Sequence, residues 1–559
     1  MRVVKLKYHF LVLNLFLGLL VSCGVKKGQK DRPDVSTYSI SKEPRIRFND
    51  TLYFKGDNSL RKNQYGQWEL VASGNPLELG NTIGDLSQEL IKKQEEIFFT
   101  MVEELVPSRS RQYLLRKFLA WYNRQMYLHV KDEYKIEIEG ISKYASDKYD
   151  YIADKYLRTM YLHSAHDIGH AMQDLALVGC SSFAVWGKNT ADGNLLVARN
   201  FDFYAGDEFA MEKVISFIDP DEGYKFMSVS WAGMIGVMSG MNDKGLTVTI
   251  NAGKSDVPLI AKTPISLVAR EIVQYASNIN EAIDIAKKRE IFVSESILVG
   301  STADNKAVII EMSPDNFGVY EVENTSKLIC SNHFQSEAYQ MDHNNLEHIA
   351  NSHSQYRYDR MEELLNKTEI MTSEKAAAIL RNTKGLEGKD IGYGNEKALN
   401  QLLAHHGIIF EPHKKMVWIS SNPYQLGEFV AFQLDSVFLH AEKKVTSLSL
   451  NADLIAKDPF INTLDFRNYE KFRNQKRIVE QIIDENLDYN SKDIDRFISL
   501  NPESWEVYYL AGTYYYKRKY YKAALIQFEK ALSKEITTVP ERIEIEKFIK
   551  KINRRINDS

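Results

Sequence analysis

The chain has 559 residues, 44% of them hydrophobic, and a formal net charge of −4. That length leaves room for two or three domains around substantial cores. The near-neutral balance argues against nucleic-acid binding, which calls for a basic stripe, and 31 tyrosines suit an ordered protein.

The N-terminal stretch "MRVVKLKYHFLVLNLFLGLLVSCG" sets Arg2, Lys5 and Lys7 before a short apolar run. This is the pattern of a signal peptide over residues 1–23 rather than of a membrane span. It ends on Leu20-Val21-Ser22-Cys23, which resembles a bacterial lipobox. The expectation is a lipidated Cys23 as mature N-terminus, tethering the protein to the cell envelope, at the outer membrane. Acyl chains contribute about 0.8 kcal/mol per buried methylene. An ordinary secretory signal with an incidental cysteine is the alternative. Residues 24–75 read as a polar tether and irregular lead-in.

Residues 76–179 read as helical, with apolar positions at three-to-four spacing in "IGDLSQELIKKQEEIFFTMVEELV" and in the segments after it. "LHSAHDIGH" places His163, His166 and His170 on one helical face beside Asp167. That spacing could bind zinc, but such histidines more often pack within a helix interface, so neither metal nor cofactor is assigned.

From Cys180 to about residue 455 the texture becomes short β-like runs between Gly, Asn and Asp turns, interrupted by helices at "ISLVAREIVQYA" and "INEAIDIAKKR". This is an α+β pattern of antiparallel sheets with inserted helices. Residues 465–559 read as helical again. Gly512, Tyr515, Tyr521, Ala524, Phe528 and Ala531 fall at tetratricopeptide-repeat (TPR) spacing. One repeat is too few to stand alone, so this TPR-like tail is expected to dock on neighbouring helices, and it is a candidate surface for a protein partner.

The chain has three cysteines. With Cys23 assigned to the anchor, Cys180 and Cys330 could form a disulfide, or be a nucleophile and a buried bystander; spacing leaves both open. As a nucleophile, Cys180 needs a base, and no histidine lies in the strands just after it. Cleavage between Gly179 and Cys180 would supply one, because an α-amino group titrates near neutrality. Arg199 could lower the thiol pKa and Asp202 could orient the α-ammonium. These two lie on opposite strand parities, so a bulge or strand end would have to turn both towards Cys180. Asn251 and Asn332, each at a strand end, could furnish an oxyanion hole.

The blocks "GCSSF…DGNLLVARNFDF", "GMNDKGLTVTINAG", "SNHF" and "SQYRYDRMEELL" resemble the acyl-coenzyme A:6-aminopenicillanic acid acyltransferase family of N-terminal-nucleophile hydrolases, related to the choloylglycine hydrolases and acid ceramidases. Upstream "EIEGIS" and downstream "IIFEPHKKMVWIS" fit the same resemblance, which spans roughly residues 80–440. It implies a four-layer αββα fold and an autoproteolytic cysteine enzyme acting on a small-molecule N-acyl amide through a Cys180 thioester, by hydrolysis or acyl transfer. Arg199 and Asp202 would flank the thiol. Asn332 would build the oxyanion hole, with Asn251 near the substrate carbonyl. A further arginine would be Arg357, or Arg360 in its place. A non-enzymatic envelope scaffold that keeps the fold and binds partners through its tail is the alternative.

Overall fold

A computed structural model describes residues 22–165, 167, 178–204, 206, 208–254, 260–440 and 445–557. Residues 1–21 of the stretch read as a signal peptide lie outside these, as do His166 and His170. Among the described residues no helix is long and apolar enough to cross a membrane.

The described strands, in chain order, are β1 Ile46–Asn49, β2 Leu52–Lys55, β3 Asn58–Lys62, β4 Trp68–Gly74, β5 Val178–Val185, β6 Leu196–Phe203, β7 Val214–Pro220, β8 Phe226–Ser230 and β9 Ser239–Asn242. There follow β10 Leu246–Ala252, β11 Glu295–Ser301, β12 Lys306–Met312, β13 Phe317–Tyr320, β14 Lys327–Cys330, β15 His406–Glu411, β16 Met416–Ser420, β17 Phe429–Gln433 and β18 Leu450–Ile455. Among the described residues they make two sheets. One runs β1-β2-β3-β4-β7-β8-β9-β10-β11-β12-β13; the other runs β14-β5-β6-β15-β16-β17-β18.

The two sheets stack face to face. Val71, Phe217, Met227 and Leu298 of the larger share one apolar layer with Ala184, Val197, Ile408 and Val417 of the smaller. Strand periodicity decides the rest, because neighbouring residues face opposite ways. Phe183, Ala198 and Ile409 of the smaller sheet pack on Met361, Leu365, Ala377 and Leu380 from helices Ser354–Asn366 and Ser373–Leu380. On the far side of the larger sheet, Leu70, Phe226, Val248 and Ile297 pack on Leu79, Ile83, Ile138, Ile141 and Val268. The order is helix, sheet, sheet, helix, as expected.

Residues 46–74 correct the reading of 24–75 as a tether and irregular lead-in. They form β1 to β4, and β4 pairs in parallel with β7, Trp68 opposite Val214. All of β2 and most of β4 are buried. These strands are short and separated by turns at Asp50, Gly56 and Gly66, so no run was long enough to show a period. Residues 22–30 are helical, with Gly28 close against the Arg124 backbone.

The helical segment supports the sheet through a close crossing of helices Pro76–Leu86 and Asp132–Ser142. A Cβ on Gly80 would fall 2.0 Å from the Glu137 carbonyl oxygen, and one on Gly140 would fall 2.7 Å from the Asn81 nitrogen. This is the physical content of the "EIEGIS" block. Its Glu137 also pairs with Arg270 at 3.2 Å, both buried.

The C-terminal tail consists of helices Leu464–Asp484, Ser491–Leu500, Trp505–Lys517, Tyr521–Leu532 and Val539–Asn557. Its apolar core takes in Leu402 and Leu426 of the preceding domain. Asn501 accepts from the Tyr393 backbone at 3.1 Å, and Asn395 donates to the Glu535 carbonyl at 2.8 Å. The tail therefore docks on the segment around 391–402.

Candidate functional site

Cys180 lies within β5, fully buried, opposite Phe201 of β6. On its other side β14 ends at Cys330, opposite Ser182, short of Cys180. Side chains replace the missing strand there. The Cys180 N–H donates to Asn332 Oδ1 at 2.9 Å, and the Cys180 carbonyl accepts from Arg357 Nη1. Arg357 also donates to Ser181 Oγ at 2.9 Å, to Asn332 Oδ1 at 2.6 Å and to His353 Nδ1 at 3.1 Å. The "SNHF" and "SQYR" blocks are tied through Ser354, whose Oγ accepts from the Asn332 N–H at 2.8 Å and whose carbonyl accepts from Ser331 Oγ at 2.9 Å. Asn332 Nδ2 donates to the Ala252 carbonyl at 2.9 Å. Two donors on its oxygen and a carbonyl on its nitrogen fix the amide's orientation.

The β5–β6 ladder is regular from Val178↔Phe203 to Val185↔Leu196. No bulge brings Arg199 and Asp202 to one face, and the two side chains leave β6 on opposite sides. Arg199 is on the inter-sheet face with the thiol. Its Nη2 lies 3.5 Å from Cys180 Sγ and also donates to the Ile250 carbonyl. Its Nη1 donates to the Met238 carbonyl at 2.8 Å and to Ser239 Oγ at 2.6 Å. Burial pushes the Cys180 thiol pKa up; the Arg199 and Arg357 charges oppose this, and Asp202 reinforces it.

Beyond Ser239 runs a chain of hydrogen bonds that the sequence reading missed. Ser239 Oγ is 2.9 Å from His406 Nε2, and His406 Nδ1 is 2.8 Å from His405 Nδ1. Ser239 Oγ accepts from Arg199, so its one proton goes to His406 Nε2. His406 then carries its proton on Nδ1 and donates to His405 Nδ1, leaving the His405 proton on Nε2, which has no partner among the described residues. Burial holds both imidazoles well below their ordinary pKa, and the Arg199 and Lys213 charges add to this. The signal was the pair "HH" just before the strand "GIIFE".

Asp202 occupies the opposite face of β6, across from Gly179. Neither of its carboxylate oxygens makes a hydrogen bond. Burial pushes its pKa up to about 8, against the pull of Arg357 and Arg199. Asn251 is nearby but committed. Its Nδ2 donates to the Cys330 and Ser331 carbonyls, each at 3.1 Å, and its Oδ1 accepts from Ser182 Oγ at 2.9 Å. Both N–H groups are thus used in joining β10 to the end of β14, which corrects its reading as an oxyanion donor. Arg360 points elsewhere, to Glu363 at 2.7 Å and Asn382 at 3.2 Å. Cys180 and Cys330 are both free thiols, so the disulfide alternative is corrected. His163 uses both ring nitrogens, on the Thr159 carbonyl at 2.8 Å and the Ile235 N–H at 3.1 Å, which leaves none for a metal.

An apolar cleft lies between the helical segment and the larger sheet, lined by Leu162, Phe203, Phe209, Trp231 and Met234. Phe203 stacks on both Phe201 and Trp231, with ring centroids 5.7 Å apart in each pair. Cys180 belongs to the same apolar cluster as Phe201, Phe203 and Phe209.

An uncharacterised protein of Archaeoglobus fulgidus is 27% identical over 276 residues, covering 45% of this chain and 45% of that protein. Protein dcd1B of Dictyostelium discoideum is 25% identical over 157 residues, covering 28% and 31%. These matches thus span less than half the length of either relative. Among solved structures, the Caenorhabditis elegans N-acylethanolamine-hydrolyzing acid amidase ortholog aligns at 15% identity and a TM-score of 0.31, covering 42% of this chain and 93% of that one. A mutant conjugated bile acid hydrolase from Clostridium perfringens aligns at 15% identity and a TM-score of 0.31, covering 49% and 99%. The family model of acyl-coenzyme A:6-aminopenicillanic acid acyl-transferase matches residues 188–423, a stretch that begins after Cys180 and holds Arg199, Asp202, Asn251, Asn332 and Arg357.

Proposed function

We propose that this chain is an N-terminal-nucleophile enzyme that hydrolyses, or transfers the acyl group of, a linear N-acyl amide through Cys180. One observation carries the reading. Where β14 stops, the backbone of Cys180 is held by side chains, Asn332 on its nitrogen and Arg357 on its carbonyl, while Arg199 faces its thiol.

Maturation follows from this placement. Cys180 Sγ attacks the Gly179 carbonyl, the C–N bond breaks, and the nitrogen takes the thiol proton. The resulting thioester is hydrolysed by water, releasing the Gly179 carboxylate and a free Cys180 with its α-amino group. That amine titrates near neutrality and can accept the thiol proton in each later turnover. Asn332 Oδ1 already accepts from the same nitrogen, so it would hold the amine, and Asp202, opposite Gly179, would stand next to the new charge. In turnover the thiolate attacks the substrate carbonyl, the amine departs with a proton, and water or an acceptor takes the acyl group from sulfur. The apolar cleft beside Phe203 and Trp231 favours an apolar acyl portion.

The lipobox-like Leu20–Cys23 supports lipid anchoring at Cys23 and a place on the bacterial envelope, at the outer membrane. Conversion of Cys23→Ser should release the protein from membranes or block its processing.

The test is intact mass of the purified protein with N-terminal sequencing, followed by a screen of N-acyl amides. Two associated fragments are expected, the second beginning at Cys180, and one uncut chain for Cys180→Ala. An intact wild type with an unreactive Cys180 and no amide turnover would favour the scaffold reading instead.

A further inference from the structure

The face of β5 away from the thiol holds two buried polar groups that find no hydrogen-bond partner among the described residues. One is the Asp202 carboxylate, directly across the ladder from Gly179 and without a hydrogen bond on either oxygen. The other is Gln401, 2% exposed, whose Nε2 has no partner. Both lie on the side of β5 that a Gly179 side chain would face. A substituent on the Gly179 α-carbon, built in the position of an L side chain, would have its first atom 2.8 Å from Gln401 Nε2 and 3.2 Å from its Oε1. Cross-strand residues on one face carry first side-chain atoms about 4.5–5.5 Å apart, so the same atom also faces Asp202.

A distance of 2.8 Å is short for carbon against nitrogen but is a normal hydrogen-bond length for oxygen. An unsatisfied buried donor and an unsatisfied buried acceptor converging on one atom describe the complement of a hydroxyl, which can do both. The Gln401 amide ends a flexible side chain, but at 2% exposure it can move aside only against packed neighbours. Its neighbours Asn400 and Leu402 are fully buried, and Leu402 is clamped into the core of the C-terminal tail.

Gly179 supplies the acyl side of the bond broken in maturation. Once the bond is cut and Gly179 has left, its place becomes the acyl subsite next to the Cys180 sulfur. We propose that Gln401, with Asp202 opposite, is a specificity-determining residue of that subsite: it favours an acyl group with a hydroxyl on its α-carbon and disfavours an α-methyl. This rests on the reading of Cys180 as the nucleophile.

Two measurements test it. The first needs no substrate: the rate of chain cleavage at residue 179 in freshly refolded protein. Gly179→Ala should cleave about tenfold slower than wild type, and adding Gln401→Ala should restore the rate, since the obstruction is then gone. The second compares kcat/KM for amides of one amine with matched 2-hydroxyacyl, unsubstituted acyl and 2-methylacyl groups. The wild type should prefer the 2-hydroxyacyl amide by about tenfold, the worth of one hydrogen bond, and Gln401→Met should abolish that preference while still turning over the unsubstituted amide. Equal cleavage of Gly179→Ala and wild type, or a preference unchanged in Gln401→Met, overturns the proposal and leaves the nucleophile intact. A wild type that neither cleaves nor labels at Cys180 defeats the functional reading itself, and this inference with it.

Discussion

Asp202 sits directly across the β5–β6 ladder from Gly179, with both carboxylate oxygens unbonded in a fully buried setting. Its position makes its surroundings depend on whether the Gly179–Cys180 bond is intact. With the bond intact the carboxyl has no hydrogen-bonded cation and holds its proton up to about pH 8. Were the bond cut as proposed, an ammonium would stand beside it.

The uncut protein should therefore show a stability that depends on this group. In the unfolded chain Asp202 titrates near pH ~3.9, whereas in the fold it titrates at about 8. The folded state binds the extra proton, so stability is greatest below pH ~4 and declines as pH rises towards 8. In the Cys180→Ala background, Asp202→Asn should flatten the thermal midpoint over that window. The difference between the two proteins should reach a few kcal/mol, at about 1.4 kcal/mol per pKa unit. Identical pH profiles for both would show that Asp202 titrates normally.

Arg357→Lys keeps a positive charge but loses the fork that spans the Cys180 carbonyl, Ser181, Asn332 and His353. Chain cleavage and amide turnover should each fall roughly 10- to 100-fold, the worth of one or two hydrogen bonds to a charged group. Arg360→Lys should leave both unchanged. Time courses on denaturing gels and steady-state kinetics give the comparison.

His406→Leu should remove the acceptor for Ser239 and the donor for His405. Leaving such groups buried and unsatisfied costs about 1–3 kcal/mol each. The variant should melt earlier, and Arg199, loosened from Ser239, should support alkylation of Cys180 about tenfold more slowly. His406→Gln, which offers an amide nitrogen and oxygen in its place, should recover more of the labelling rate than Leu does. A labelling rate untouched in both variants would separate the histidine pair from the thiol.

Removal of residues 465–559 should do more than delete an appendage. It would expose Leu402 and Leu426, both fully buried, at about 1.5–3 kcal/mol each. It would also free the 391–402 segment that carries Gln401 and, through the Leu399 carbonyl, anchors Asn200 at 2.8 Å. The truncated chain should be markedly less stable and should label poorly at Cys180. Unchanged melting and labelling would make the tail a dispensable docking element.

Local pattern in the sequence determined the alternation of short strands and turns after Cys180, the helical segments on either side of that region, and the lone thiol after a glycine. It also determined which side of β6 each residue takes, because strand parity needs no knowledge of the rest of the chain. One of the Gly and Asn turns falls between β9 and β10, where the Asn242 side chain accepts from the Lys244 and Leu246 backbones and Gly245 has φ +72°. Only tertiary structure decided what the candidate side chains do. Asn251 and Asn332 are the same residue type at similar strand ends, yet one spends its amide on two carbonyls and the other turns its oxygen to Cys180. Ser239, His405 and His406 become a chain only because β9 and β15, from different sheets, meet at Arg199. Gln401 reaches Gly179 only because a loop far along the chain is pressed against β5 by the C-terminal helices. A hydrogen bond is set by distances of a few tenths of an ångström between residues hundreds of positions apart, and periodicity, which reports only the direction a side chain leaves its own element, contains no such information.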